Sequence, residues 1–341
     1  MIRSLMILAA MAASLGMQAQ NQKTLDIYFI DVEGGQSTLF VTPQHESLLV
    51  DTGWPGHDAR DAHRIAAAAK LAGISKIDNV IITHYHDDHV GGLPQLLSAI
   101  PVGTFYDHGA LYEKCPTCVS GFDAYMKEIK AGKAKRVSVK VGDMLPLKDA
   151  QVKVVSSNGD VLSQPLPGAG QANRFCAASE VRPADTTENS HSVGVLLSFG
   201  KFRTTDLGDL TWDKERALMC PANRIGEVSL LIVSHHGWDQ SSSPAYVDAV
   251  HPEVAIMDNG QKKGGSLPTV KTLKAIPGLA ALWQLHHSDE AAGENVPEQR
   301  IANLKDDASD KGNYLKVSAK RDGSFTVFNS RTGQTVAYPA R

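Results

Sequence analysis

Residues 25–30 (LDIYFI) alternate apolar and polar before running apolar, the pattern of a half-buried strand. The glycine pair Gly34-Gly35 turns the chain, and residues 37–41 and 47–50 continue it as a meander of strands. An alanine-rich amphipathic stretch at 60–72, stopped by Gly73, predicts a helix. The run Val80-Ile81-Ile82 predicts a buried strand ending at Thr83, with a short helix at 93–98 behind it. Strand patterns recur at 104–106, 137–141 and 152–156, with a helical one at 122–130. Residues 159–189 lose all periodicity and turn to Gly, Pro, Ala and Ser. So long a stretch without elements of its own is expected to be functional or disordered, here a rim loop pinned by Cys176. Beyond it, strand patterns at 193–199, 202–205, 228–233, 254–257, 282–285, 314–318 and 324–327 alternate with helical ones around Ala217 and at 246–250 and 269–275. Two successive halves, each strand-rich first and helical later, predict an α/β fold: a four-layer αββα sandwich forming one domain over residues 21–341.

The apolar run at 80–82 leads into His84-Tyr85-His86-Asp87-Asp88-His89, closed by Gly91-Gly92. Three imidazoles and the Asp88 carboxylate therefore project from a strand end and the loop after it. Imidazole and carboxylate are donors that suit zinc. On extended backbone His84 and His86 point the same way and can reach one metal, while Asp88 and His89 follow the bend toward a second. A solvated, histidine-rich loop is the bland alternative, and chance matches to this spacing are rare. Other strand ends carry ligand types too. Asp51 follows the apolar 48–50 and suits an acceptor that orients a ligand histidine, or an Asx turn before Gly53. Asp209 follows the 202–205 strand and can bridge two ions, with Asp206 a close competitor. His235 and His236 follow 230–233, and Asn189 and His191 precede 193–197. His108, His286 and His287 also follow strands, where they are expected to touch at most the rim.

Composition narrows the class. With 341 residues, 42% hydrophobic, 21% charged and a formal net charge of -3, this is an ordinary globular chain. That charge gives no long-range attraction to nucleic acid or to an anionic membrane. The basic residues between Lys127 and Lys140 read as the solvated face of a helix and its exit. Arg3, the apolar stretch at 5–15 and the small residues near Ala19-Gln20 form a signal peptide over residues 1–20, too short for a comfortable membrane span. Export to the periplasm or beyond is expected, with no membrane span in the mature chain. In an oxidising compartment the four cysteines pair, Cys115 with Cys118 and Cys176 with Cys220, although four cysteines allow three pairings. A thioredoxin-like role for Cys115 and Cys118 lacks the βαβ context it needs.

Taken in order, D-T-G at 51–53, H-x-H-x-D-H at 84–89, N-x-x-S at 189–192, G-D at 208–209 and H-H-G at 235–237 resemble the metallo-β-lactamase superfamily, within it the ComEC-type branch. The opening Asp31-Val32-Glu33-Gly34-Gly35-Gln36-Ser37 is similar to that branch's D-V-G-Q-G-D-A/S, with Gln36 where an acid is usual. The resemblance implies two zinc ions in a sandwich of the metallo-β-lactamase type. His84 and His86 would hold the first ion. Asp88 and His89 would hold the second with His235 or His236, Asp209 would bridge both, and Asp51 would buttress the set. Asp88 and Asp209 would thereby carry the catalysis. The histidine that usually completes the first site is out of register here, with Asn189 and His191 in its neighbourhood.

The expected activity is hydrolysis by a metal-bound hydroxide, since no separate Ser or Cys nucleophile motif is present. A bridging acid at the G-D position, which true β-lactamases of the superfamily generally lack, would favour phosphodiester, ester, lactone or thioester chemistry. The expected substrate is a small molecule or phosphodiester, a phosphodiester first. A lactone or β-lactam hydrolase on the same metals is the runner-up. A zinc-binding protein without catalysis is the reading from another class.

Overall fold

The computed structural model describes residues 23–307 and 310–341. The expected signal peptide lies outside the described residues. Two sheets form the centre of the molecule. In the first, nine strands run in the order Thr335–Tyr338, Phe325–Asn329, Leu315–Ala319, Leu25–Phe29, Thr38–Val41, Ser47–Val50, Ile77–Ile81, Val102–Asp107, Lys135–Ser138. The last four of these are parallel and the rest antiparallel. In the second sheet, Phe202–Asp206, Leu230–Ile232, Val254–Met257, Ala281–His286 and Ile301–Asn303 run parallel, and Gly194–Phe199, Gln151–Ser157 and Met144–Leu145 add antiparallel neighbours.

The layering follows from side-chain alternation. Leu48 and Val50 point into the core between the sheets with Leu230, Ile232 and Trp283, while Leu49 points outward. That outer face of the first sheet is covered by helices Arg60–Leu71, Leu93–Ala99 and Pro116–Lys130. Leu231 and Ala255 likewise face helices Trp212–Met219, Pro244–Val247 and Leu267–Lys274 on the far side of the second sheet. The result is the four-layer αββα sandwich that the sequence pattern predicts.

Two expectations need correction. The strand patterns at 314–318 and 324–327 do not close the second half. They continue the first sheet beside Leu25–Phe29, with Phe29 opposite Leu315. Periodicity reports that a strand exists but not which edge it finds nearly 290 residues away. The 159–189 stretch is also not a rim loop through most of its length. Asn173 donates to the carbonyls of Met219 and Ala245, and Cys176 is bonded to Cys220, so this segment is tied to the flank of the second sheet. It reaches the rim only around Glu188, next to His108.

The functional edge is where the parallel strands of both sheets end. Such carboxyl ends gather ligand-binding groups because the following loops turn outward there. Here the loops are stitched together by backbone bonds: Thr52 N donates to His89 O (2.7 Å), and Gly92 N to Gly53 O (2.9 Å). Gly92 lies against the Thr52 carbonyl so closely that a Cβ would collide with it. Gly92→Ala is therefore expected to destabilise the protein by about 1–3 kcal/mol, through a backbone shift rather than a turn preference. Thermal denaturation of the variant beside wild type checks this, and an unchanged melting temperature contradicts it.

Candidate metal centre

The loop after Ile77–Ile81 delivers His84, His86, Asp88 and His89 to one point. His86 is extended (φ -71°, ψ 150°) and opens the short helix Asp87–Val90. His84 Nε2 and His86 Nδ1 stand 3.0 Å apart, as alternation along extended backbone requires. Asp51, at the end of Ser47–Val50, accepts from Thr83 N (2.8 Å) and Thr83 Oγ1 (2.7 Å) and meets His89 Nδ1 at 2.7 Å. This fixes the tautomer of His89, leaving Nε2 to face inward. Asp209, following Phe202–Asp206, places Oδ2 3.2 Å from His89 Nε2 and 3.8 Å from His84 Nε2.

Two groups of donor atoms result, each within 4.8 Å internally: His84, His86 and Asp209, and Asp88, His89, Asp209 and His236. Asp209 belongs to both. The two histidines of the 235–236 pair separate here. His236 Nε2 lies 3.1 Å from Asp88 Oδ2 and 3.2 Å from His89 Nε2, inside the second group. His235 stands beside it, with Nε2 3.3 Å from Asp209 Oδ2 and Nδ1 3.2 Å from Ser241 Oγ. Their order comes from the turn Ser234–Gly237, where His235 (φ 56°), His236 (φ 52°) and Gly237 (φ 82°) are all left-handed. Such backbone costs a non-glycine residue on the order of 1–2 kcal/mol and concentrates at functional sites.

These groups fit divalent ions. Burial drives the His84 imidazole well below its usual value, so it is neutral with a lone pair to offer. Burial opposes ionisation of Asp88, yet Lys263, His89 and His236 hold its carboxyl well below the usual range. Burial likewise opposes ionisation of Asp209, and His235, His89 and His236 outweigh it. Asp209 Oδ1 is buried without a hydrogen bond. A buried acceptor left open, 3.6 Å from His236 Nε2 on a carboxylate whose Oδ2 faces His84, His89 and His235, is what a cation would satisfy.

The other histidine and carboxylate candidates fall outside both groups. Asp206 is buried, accepts from Gln36 Nε2 at 2.7 Å, and is pushed by burial up to about 7, despite the Gln36 bond. His191 stacks on Tyr112, ring centroids 3.7 Å apart. Asn189 is buried with Oδ1 unpartnered. His108 pairs with Glu188 and His286 with Asp31, each at 2.7 Å. Lys263 is the residue that sequence reading missed. Its ammonium contacts Asp88 Oδ2, donates to Gly34 O at 2.8 Å, and lies over the rings of Trp54 (4.9 Å) and Trp238 (5.5 Å). The only signal was Lys262-Lys263-Gly264-Gly265, a basic glycine loop after another parallel strand.

A family model described as the metallo-beta-lactamase superfamily matches residues 31–152. ComE operon protein 3 of Bacillus subtilis (strain 168) is 24% identical over 271 residues, covering 74% of this chain and 30% of that protein. Recombination protein 2 of Haemophilus influenzae is 22% identical over 263 residues, covering 75% of this chain and 27% of that protein. The chain thus spans less than a third of the length of these curated relatives. Among solved structures, the metallo-beta-lactamase fold protein YhfI from Bacillus subtilis superposes with a TM-score of 0.49 at 13% identity, covering 76% of this chain and 95% of that one.

Asp209, shared by both groups, and Asp206, shared by neither, give a paired test. Asp209→Asn is expected to weaken uptake of one of two zinc equivalents by at least ~100-fold, above the cost of losing a merely supporting partner. Asp206→Asn should keep both equivalents. Metal analysis after dialysis against zinc buffers reads the difference, and the reverse outcome makes Asp206 the bridging group.

Proposed function

We propose, for a chain that belongs to the metallo-β-lactamase superfamily on its ComEC-type branch and is a metal-dependent hydrolase, that the substrate is a phosphodiester and the place of action is outside the cytoplasm. In this reading His84 and His86 hold one ion, Asp88, His89 and His236 hold the other, and Asp209 spans the two. The imidazole and carboxylate donor set suits zinc. Two such ions supply a water activated near neutral pH and positive charge for a developing oxyanion.

The chain's own residues do the rest. Asp51 holds His89 through Nδ1, and Thr83 holds Asp51, so the imidazole cannot rotate away from the centre. Ser192 Oγ, 3.4 Å from His84 Nδ1, steadies the other buried imidazole. The observation that carries the substrate reading is Lys263. Its ammonium stands at the rim beside Asp88, between two tryptophan rings, where it can meet a fixed negative charge on the substrate. A phosphodiester brings such a charge, whereas a lactone or β-lactam presents a neutral reacting carbonyl. Place of action is supported by the two disulfides, Cys115–Cys118 and Cys176–Cys220, which persist in oxidising compartments. No helix among the described residues is long and apolar enough to cross a membrane.

Purified, zinc-loaded protein is expected to turn over bis-p-nitrophenyl phosphate and not nitrocefin or acyl-lactones. Lys263→Ala should lower kcat/KM for the phosphodiester about 10- to 100-fold, the worth of one hydrogen bond to a charged group, and leave metal content intact. Turnover of nitrocefin or a lactone with none of the phosphodiester transfers the assignment to those substrates. No turnover of any, with zinc tightly held, leaves a zinc-binding protein.

A further inference from the structure

The C-x-x-C pair is not remote from the metal centre. Helix Pro116–Lys130 is brought against the ligand loop by Gly121, whose absent side chain makes room for Val90 and the Tyr85 carbonyl. Its first turn therefore ends beside His86. Cys115 caps that helix and Cys118 lies one turn in, so both sulfurs share a face, the spacing by which paired cysteines chelate zinc. Glu113 stands just before them. One imidazole and these three side chains, His86, Glu113, Cys115 and Cys118, converge with their donor atoms within 4.8 Å of one another.

His86 presents a different edge to each neighbour. Its Nδ1 faces His84, in the group that contains Asp209. Its Nε2 faces Glu113 Oε2 at 3.6 Å. Glu113 is held there by its surroundings: its carboxylate accepts from Glu188 N (2.9 Å), and its own N–H donates to Glu188 Oε2 (2.9 Å). The helix terminus favours sulfur as an anion, with Cys118 N donating to Cys115 Sγ at 3.0 Å. Cys115 is partly exposed, so a reductant can reach it, while Cys118 is buried.

We propose that Cys115 and Cys118, once reduced, join Glu113 and the Nε2 edge of His86 in a third metal-binding site, for a thiophilic divalent ion, abutting the hydrolytic centre. In the oxidised protein the sulfurs are bonded to each other and have no thiolate to give. A dithiol opens the site. Its thiolate attacks Cys115 Sγ and expels the Cys118 thiolate; its second thiol then displaces Cys115 and leaves as the cyclic disulfide. Two electrons pass to the protein sulfurs, and the two protons they gain are released again when the ion binds. Where the hydrolytic centre already holds His86 through Nδ1, ligation through Nε2 releases the ring N–H proton as well and leaves an imidazolate between the two ions. The same imidazole then faces an ion on each side, so the redox state of a surface pair reaches the hydrolytic centre through a single ring.

The test compares oxidised and dithiothreitol-reduced protein, the reductant removed anaerobically by gel filtration, both titrated with cadmium. Bound metal is counted, and cadmium–thiolate charge-transfer absorption is followed in the ultraviolet. The reduced protein is expected to take up about one further equivalent with that absorption, using paired thiolates as structural metal sites do. Cys115→Ser/Cys118→Ser should abolish the increment while Cys176 and Cys220 remain reducible. Glu113→Gln, which keeps the disulfide, should weaken it about tenfold or more, as loss of a carboxylate at a metal site does. The proposal falls if reduction adds no metal, if the increment survives in the double serine variant, or if Glu113→Gln binds like wild type. None of these readouts requires turnover, so the result stands apart from the phosphodiester reading.

Discussion

The carboxylate of Asp51 is the interaction on which the rest of the site depends. It is fully buried, left-handed at φ 60°, and placed between the ends of two parallel strands. Its N–H donates to Ile81 O (2.9 Å), while its oxygens hold Thr83 N, Thr83 Oγ1 and His89 Nδ1. One side chain thereby fixes the distance between two loops and the rotation of an imidazole. Burial pushes its carboxyl upward, against the lowering effect of His89 and Thr83. A buried carboxylate is tolerable only with such partners, and removing it leaves the His89 ring without its orienting acceptor.

Around that hub the charge is nearly all carboxylate and imidazole. Asp88 and Asp209 lie among five imidazoles, His84, His86, His89, His235 and His236, with Lys263 the single fixed cation among the residues named at the centre. The ammonium can neutralise Asp88 but does not reach Asp209 Oδ1, which stays without a bond. Asp209, the residue common to the two donor groups, thus carries an unmet acceptor. An unmet acceptor on the shared residue favours a candidate metal centre over a histidine-rich salt-bridge network.

How much the sequence discloses depends on how local each relation is. The 84–89 motif was legible because spacing and strand alternation determine where His84 and His86 point. The sandwich was legible because the period-two pattern separates the inter-sheet face from the helix-covered faces, as Leu48, Leu49 and Val50 show. The choice between His235 and His236 was not, since three successive left-handed residues invert the ordinary alternation. Lys263 was hidden for another reason. Its long side chain crosses from the second half of the chain to Gly34 and Asp88, 229 and 175 positions away, and no periodicity records such a reach. Asn189 and His191 drew notice through their place in the motif order; Asn189 is buried with Oδ1 unpartnered, while His191 stacks with Tyr112.

The rim has its own logic. Glu188 accepts from Tyr112 N and Glu113 N and meets His108, so a carboxylate far along the chain fixes the loop that carries Glu113 and the first cysteine. Burial would raise the Glu188 carboxyl, but His108 and those N–H groups hold it below the usual value, keeping it ionised and the loop anchored. The loop could have been pinned by apolar contact alone. Pinning it with reciprocal backbone bonds between Glu113 and Glu188 instead aims a second carboxylate at the outer edge of His86. An imidazole at the mouth of the candidate centre thus faces a carboxylate from outside at 3.6 Å, where Asp51 holds His89 from within at 2.7 Å. Both rings face carboxylates, but the outer one stands beside the Cys115–Cys118 sulfurs.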